Sequence, residues 1–289
     1  LQILSALCDR KATFLASPEW MTKPWTGRIK SALDTVMDIL AQIPGVFEGF
    51  EVVMLQECVP ETDERASRVR ARLWELEAEL TVWHEEYISL YRSHFPADPV
   101  GLELLVAGRH NPAIQTRLPE HLIQHGVAPL YAMTMFWACC TIVYDKMLQL
   151  DESFPPGPQE GLLPEASKLD LLKYCICLSR STRLLSEPDA GLASNTLFAG
   201  AAVACVISGY IATGRETEAE REDMTELQIG LQDVMDRSNS MWTQTWAAGM
   251  NHMTWRHDPW WARASESTRR FWAGKHWYNA QKTPLEFRV

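Results

Sequence analysis

Over Glu61–Phe95 the apolar residues Val69, Leu73, Leu76, Leu80, Trp83, Tyr87 and Leu90 recur at alternating steps of four and three. That spacing is the signature of one face of an α-helix and is incompatible with a strand, whose faces alternate every two residues. Glutamates and arginines fill the intervening positions and are expected to form the solvated face. The prolines of Pro96–Pro99 should end the helix. A stripe this long needs partner helices to cover it, so the rest of the chain must supply them.

It does so in several places. Ile29, Leu33, Val36, Met37 and Leu40 share one face of a segment expected to run from Ile29 to Ile43, with Pro44-Gly45 as its stop. Val127–Leu150 is apolar nearly all round and reads as a central helix. Leu169–Leu185 and Leu192–Ala212 read as two further buried helices. The second is rich in glycine and alanine, which allows close packing. Glu216–Ala248 has a polar face, and Ser153–Pro164 is a Pro/Gly-rich loop. No segment alternates convincingly with period two. The expectation is an all-α fold, a single helical domain over 1–289, bundle or α-solenoid-like, with an aromatic-rich C-terminal segment.

With 289 residues, 46% of them hydrophobic and 22% charged, the chain can bury a sizeable core and is not of the disordered class. Its net charge of −10 argues against nucleic-acid binding by this chain alone, because phosphate neutralisation needs lysine and arginine. Thr134, Thr141, Tyr144 and Asp145 interrupt the longest apolar run, so no membrane span is expected. The seven cysteines form no Cys-x2-Cys pair, and most sit in apolar helices. They read as reduced core thiols, pointing to an intracellular protein, cytoplasmic or nuclear.

Three stretches carry a resemblance. In KATFLASPEWMTKPWTGRIKSALDTVMDILAQIP, Lys11–Pro44, a helix ends at Thr13–Leu15, a Ser-Pro-Glu-Trp turn and a Pro-Trp pair follow, and an amphipathic helix comes next. FWACCTIVYDKML, Phe136–Leu148, and Tyr174–Gly209 are the other two. Together they resemble the regulatory region of fungal transcription factors of the zinc-binuclear-cluster family. The resemblance implies an all-α fold, control of a metabolic or biosynthetic gene set and nuclear location. It supplies no catalytic residues. A cysteine-rich finger and a basic arm, the parts of such a factor that touch DNA, are not in this sequence.

No signature of a known catalytic class is present: no glycine-rich phosphate loop, nucleophile elbow or His-Glu-x-x-His helix. No cofactor and no metal are therefore expected. His121 and His125 stand four apart and could share a helix face as zinc ligands, but they read better as residues near a helix end. His84-Glu85-Glu86 could move a proton, yet equally suits a solvated face. Asp145, inside the most apolar helix, needs a partner, and Arg180 and Arg183 are the candidates. It is either half of a structural ion pair or a catalytic acid.

The segment Met241–Trp277 holds seven of the twelve tryptophans. Trp242, Trp246 and Trp255, with Met250 and with Trp137 from the central helix, are the candidate ligand-binding residues. His252, His257 and Asp145 are the candidate catalytic groups. The same rings would also serve simply to close the end of a helical bundle.

Two functions are compatible with these residues. A stand-alone relative of the scaffold would bind a hydrophobic small molecule and act as a cofactor-independent cyclase or isomerase of a natural-product pathway. Such chemistry rests on orientation and preorganised hydrogen bonds. The alternative is the effector-sensing domain of a transcription factor whose finger lies outside this chain. Either could form a homodimer through its apolar helices. Replacing Trp246 or Trp255 by alanine should weaken ligand binding by more than it lowers folding stability. Equal losses in titration calorimetry and urea unfolding would make these rings core alone.

Overall fold

The computed structural model describes residues 2–54, 60–94 and 128–156, together with Leu171, Tyr174, Cys177, Leu178 and Ser181. Every element among the described residues is helical: α1 (Gln2–Asp9), α2 (Pro18–Thr22), α3 (Ala32–Met54), α4 (Pro60–His94) and α5 (Ala128–Ser153). Two 3-10 turns, Phe14–Ala16 and Lys23–Trp25, flank α2.

The first helix stops earlier than expected. It ends at Asp9 rather than at Thr13–Leu15. Arg10 takes the left-handed conformation (φ 50°), and Lys11 N–H reaches back to Ala6 O at 3.1 Å. Arg10 also forms an ion pair with Glu51 of α3. Thr13 then caps the first 3-10 turn, its hydroxyl accepting from Leu15 N–H, and Ser17 caps α2 with Pro18 in the first turn.

The third helix departs from expectation at both ends. It begins at Ala32 because Ser31 and Asp34 form a capping box. Asp34 N–H donates to Ser31 Oγ at 3.2 Å and Ser31 N–H donates to the Asp34 carboxylate at 2.9 Å. Ile29, expected on the buried face, is 98% exposed ahead of that cap. At the other end Pro44-Gly45 does not stop the helix, which continues to Met54 with Pro44 buried inside it. An interior proline costs about 3 kcal/mol. The turns beyond it bury Val46, Phe47, Phe50 and Val53, each contributing roughly 1.5–3 kcal/mol. Burial wins.

Helices α3, α4 and α5 pack together, and their contacts fix direction. Trp83 Nε1–H of α4 donates to Ala32 O (3.0 Å) and Thr35 Oγ1 (2.9 Å) at the start of α3. Gly49, near the end of α3, lies against Val69, near the start of α4. The two are antiparallel. Tyr87 OH donates to Pro129 O at 2.7 Å, and Arg70 Nε–H reaches the Asp151 carboxylate at 2.8 Å. So α4 and α5 are antiparallel too, and α3 and α5 run in the same direction.

The stripe of α4 is buried as expected from Val69 to Tyr87, with Trp74 and Tyr91 added, but Leu90 is 51% exposed. Tyr91, one position on, takes the inward place at that turn. Arg70 is a second correction to the solvated face, being 3% exposed. In α5 all but a few positions from Leu130 to Leu150 are buried, as an all-round apolar helix requires. Phe154, placed by sequence in a loop, is buried against this core.

Gly45 has Ala12 as its nearest neighbour, 3.5 Å from where a Cβ would stand, whereas a Cβ on Gly49 would meet Val69 Cγ2 at 3.3 Å. Gly45→Ala should stabilise the fold by about 0.5–1 kcal/mol through helix propensity. Gly49→Ala should gain less, because Val69 must move. Urea unfolding reads both, and a larger gain at Gly49 would contradict the α3–α4 register.

Candidate functional site

Among the described residues most polar groups of the interior lie along α5, whose side chains are buried on nearly every face. On the side facing α4, Phe136 stacks on Trp83 (ring centroids 5.2 Å apart) and on His84 (4.9 Å). Tyr174 meets Phe136 edge-on at 6.0 Å and Tyr144 edge-on at 5.3 Å. Tyr144 OH donates to the Glu77 carboxylate at 3.5 Å. Cys140 lies within the same electrostatic neighbourhood. His84, expected on a solvated face with Glu85 and Glu86, instead uses its ring as packing surface, while both glutamates are exposed.

Burial dominates the ionisation of this cluster. It pushes the Tyr144 and Tyr174 phenols well above their ordinary value of 10.0, with Cys140 and other neighbours adding to the shift. Tyr87 and Tyr131 are raised for the same reason. Cys139 and Cys140 are pushed well above the ordinary thiol value of 9.0. Desolvation penalises an anion that has no cation to meet it. These side chains are hydrogen-bond donors and apolar surface at neutral pH, not nucleophiles.

On the side facing α3, Lys146 is buried. Its ammonium lies over the rings of Phe47 (5.9 Å) and Phe50 (5.2 Å). It meets the Asp145 carboxylate at 3.3 Å and donates to Gln149 Oε1 at 3.0 Å. Gln149 Nε2–H closes the triangle by donating to Asp145 at 2.9 Å. Asp145 therefore finds its partners on its own helix, Lys146 beside it and Gln149 one turn on. Arg180 and Arg183 lie outside the described residues.

Of the candidate site residues, Trp137 is 3% exposed within the core, and Asp145 sits two turns along α5 from it at the margin of that core. His252, His257, Trp242, Trp246, Trp255 and Met250 lie outside the described residues, as do His121 and His125. Cys139, Cys140 and Cys177 are buried free thiols, as their apolar setting suggested. Among the described residues no three His, Cys, Asp or Glu side chains are grouped to hold a metal ion, and no helix is long and apolar enough to cross a membrane. Sequence reasoning missed Lys146 and Arg70. The signal for Lys146 was a lone cation in an otherwise apolar run; nothing distinguished Arg70 from Arg68 and Arg72.

No protein-family model matches the chain, and neither a curated protein nor a solved structure does.

Arg70 donates to Asp151 and to the Phe154 carbonyl. Arg70→Ala should cost about 3 kcal/mol in urea unfolding, because it strands a carboxylate and a buried carbonyl. A loss under about 1 kcal/mol would reduce the contact to a surface pair.

The raised acids have a signed consequence. Below about pH 8 both folded and unfolded chains hold nearly all of these protons and stability is complete. As pH rises past the ordinary thiol and phenol values, the unfolded chain releases protons that the folded one keeps. Urea midpoints should therefore fall steadily above about pH 9–10, with Cys139 and Cys140 unreactive to maleimide until unfolding. Flat midpoints would show the groups to be solvated.

Proposed function

We propose that this chain is a helical receptor for a hydrophobic small molecule, on a scaffold like that of fungal transcription-factor regulatory regions. Its best-supported activity is cofactor-independent cyclisation or isomerisation of a natural-product precursor. The observation that carries this is the interior's chemistry. Among the described residues, every titratable side chain there with a shifted ionisation is pushed by burial toward its neutral, protonated form. Such an interior holds a ligand by shape and by hydrogen-bond donors. It orients a substrate without attacking it.

The effector-sensing domain of a zinc-binuclear-cluster factor uses the same interior for binding alone. It draws support from the packing of the segments that carry the resemblance. Leu40 and Ile43 from the first, and Phe136 and Tyr144 from the second, share one core with Tyr174, where the third begins.

Incubation of the purified chain with organic extracts of fungal cultures, followed by mass spectrometry, separates the two. A compound converted to an isomer of the same mass establishes the cyclase. A compound retained unchanged establishes the sensor. Neither retention nor conversion across extracts would sink the small-molecule reading altogether.

A further inference from the structure

Between Phe14 and Trp25 the chain forms α2 and its two flanking 3-10 turns, and none of the three buries a side chain. Yet they carry Phe14, Leu15, Trp20, Met21 and Trp25. Phe14 and Trp20 are 47% and 50% exposed and pack edge-on against each other, ring centroids 5.2 Å apart. Local bonds rather than burial hold the segment in shape. Thr13 and Ser17 cap its turns, Ala12 N–H donates to the Glu48 carboxylate at 3.2 Å, and Lys30 is paired with Asp38. Aromatic rings held in place yet left in water mark an interaction surface.

Charge says what kind of partner fits. From Lys11 to Lys30 the sequence holds four cations and one carboxylate, in a chain of net charge −10. Glu19 takes Lys23 and Asp38 takes Lys30, whereas Lys11 and Arg28 are exposed and meet no carboxylate among the described residues. The matching surface is on α4. Glu75, Glu79, Val82 and Glu86 recur at steps of four, three and four, so they share its outward face. Val82 is 54% exposed. From Leu73 to Tyr91 the helix holds five glutamates and no lysine or arginine. Glu85 and Glu86 are exposed and meet no cation among the described residues. One patch is aromatic and basic, the other aliphatic and acidic. Both lie toward the start of α3, since Trp83 bonds to Ala32, four residues beyond Arg28. An anionic membrane would attract the first patch but be repelled by the second. A second copy of the chain satisfies both at once, through a two-fold axis.

We propose that this chain pairs with itself. Phe14 and Trp20 of one copy, flanked by Lys11 and Arg28, lie on the outward face of α4 of the other at Val82 and Glu86, and the contact is made twice. The pairing is independent of the metabolite-binding reading.

Sedimentation velocity on the full chain tests it. Wild type should run as a dimer at concentrations of about 10 μM. Trp20→Ser and Val82→Lys, both at exposed positions, should each weaken the dimer by at least about thirtyfold, the scale of a lost aromatic anchor. Their helical circular dichroism should match wild type. Mixed together, the two variants should associate, because the mixed pair keeps one intact contact, Trp20 of one copy on Val82 of the other. A wild type that stays monomeric, a dimer that survives either substitution, or variants that remain apart on mixing would each overturn the proposal. So would a monomer that binds phosphatidylserine vesicles through Trp20, which would give the rings to a membrane surface instead.

Discussion

Everything in the three-helix core depends on α3 passing unbroken through Pro44. The residues after the proline supply Val46, Phe47, Phe50 and Val53 to the interior. Without them, Lys146 would have no aromatic faces over its ammonium and Val69 no backbone to lie against. Proline removes one backbone donor and crowds the preceding turn, a penalty of about 3 kcal/mol. Several large apolar side chains at roughly 1.5–3 kcal/mol each outweigh it. The local rule for a helix stop is sound, but here the tertiary term is larger.

Charge inside this core serves register more than stability. Arg70 ties the first half of α4 to the last turn of α5 and the residue after it, and Lys146 sits where α5 meets the second half of α3. Burying either cation costs several kcal/mol in desolvation, which its partners largely offset. What remains is specificity: a slide of α5 by one turn would separate Arg70 from Asp151 and strip Lys146 of both rings. At the other end, Trp83 performs the same office with a neutral donor, joining the start of α3 to α4 while its ring stacks on Phe136 of α5.

Much of the fold was legible, and less of the site. The four-three spacing from Val69 to Tyr87 identified α4 and its buried face, because side chains on one helix face must recur at that period. The capping box of Ser31 and Asp34 was also there to be read, and would have placed the start of α3 after Ile29 rather than on it. Trp137 and Asp145 stood out as an indole and a carboxylate in an apolar helix. Their setting did not, since the partners that hold Asp145 are Lys146 and Gln149 rather than arginines from another helix.

By itself the sequence determined the class of fold, the extent of α4, the all-round burial of α5 and the burial of Cys139 and Cys140 within it. Those properties follow from periodicity and composition, which act over neighbouring residues. Tertiary structure alone decided that α3 outlasts its proline, that Arg70 turns inward while Arg68 and Arg72 do not, and that Leu90 yields its place to Tyr91. In each case the local preference is worth a few kcal/mol at most. The deciding energy comes from area buried against helices distant in sequence.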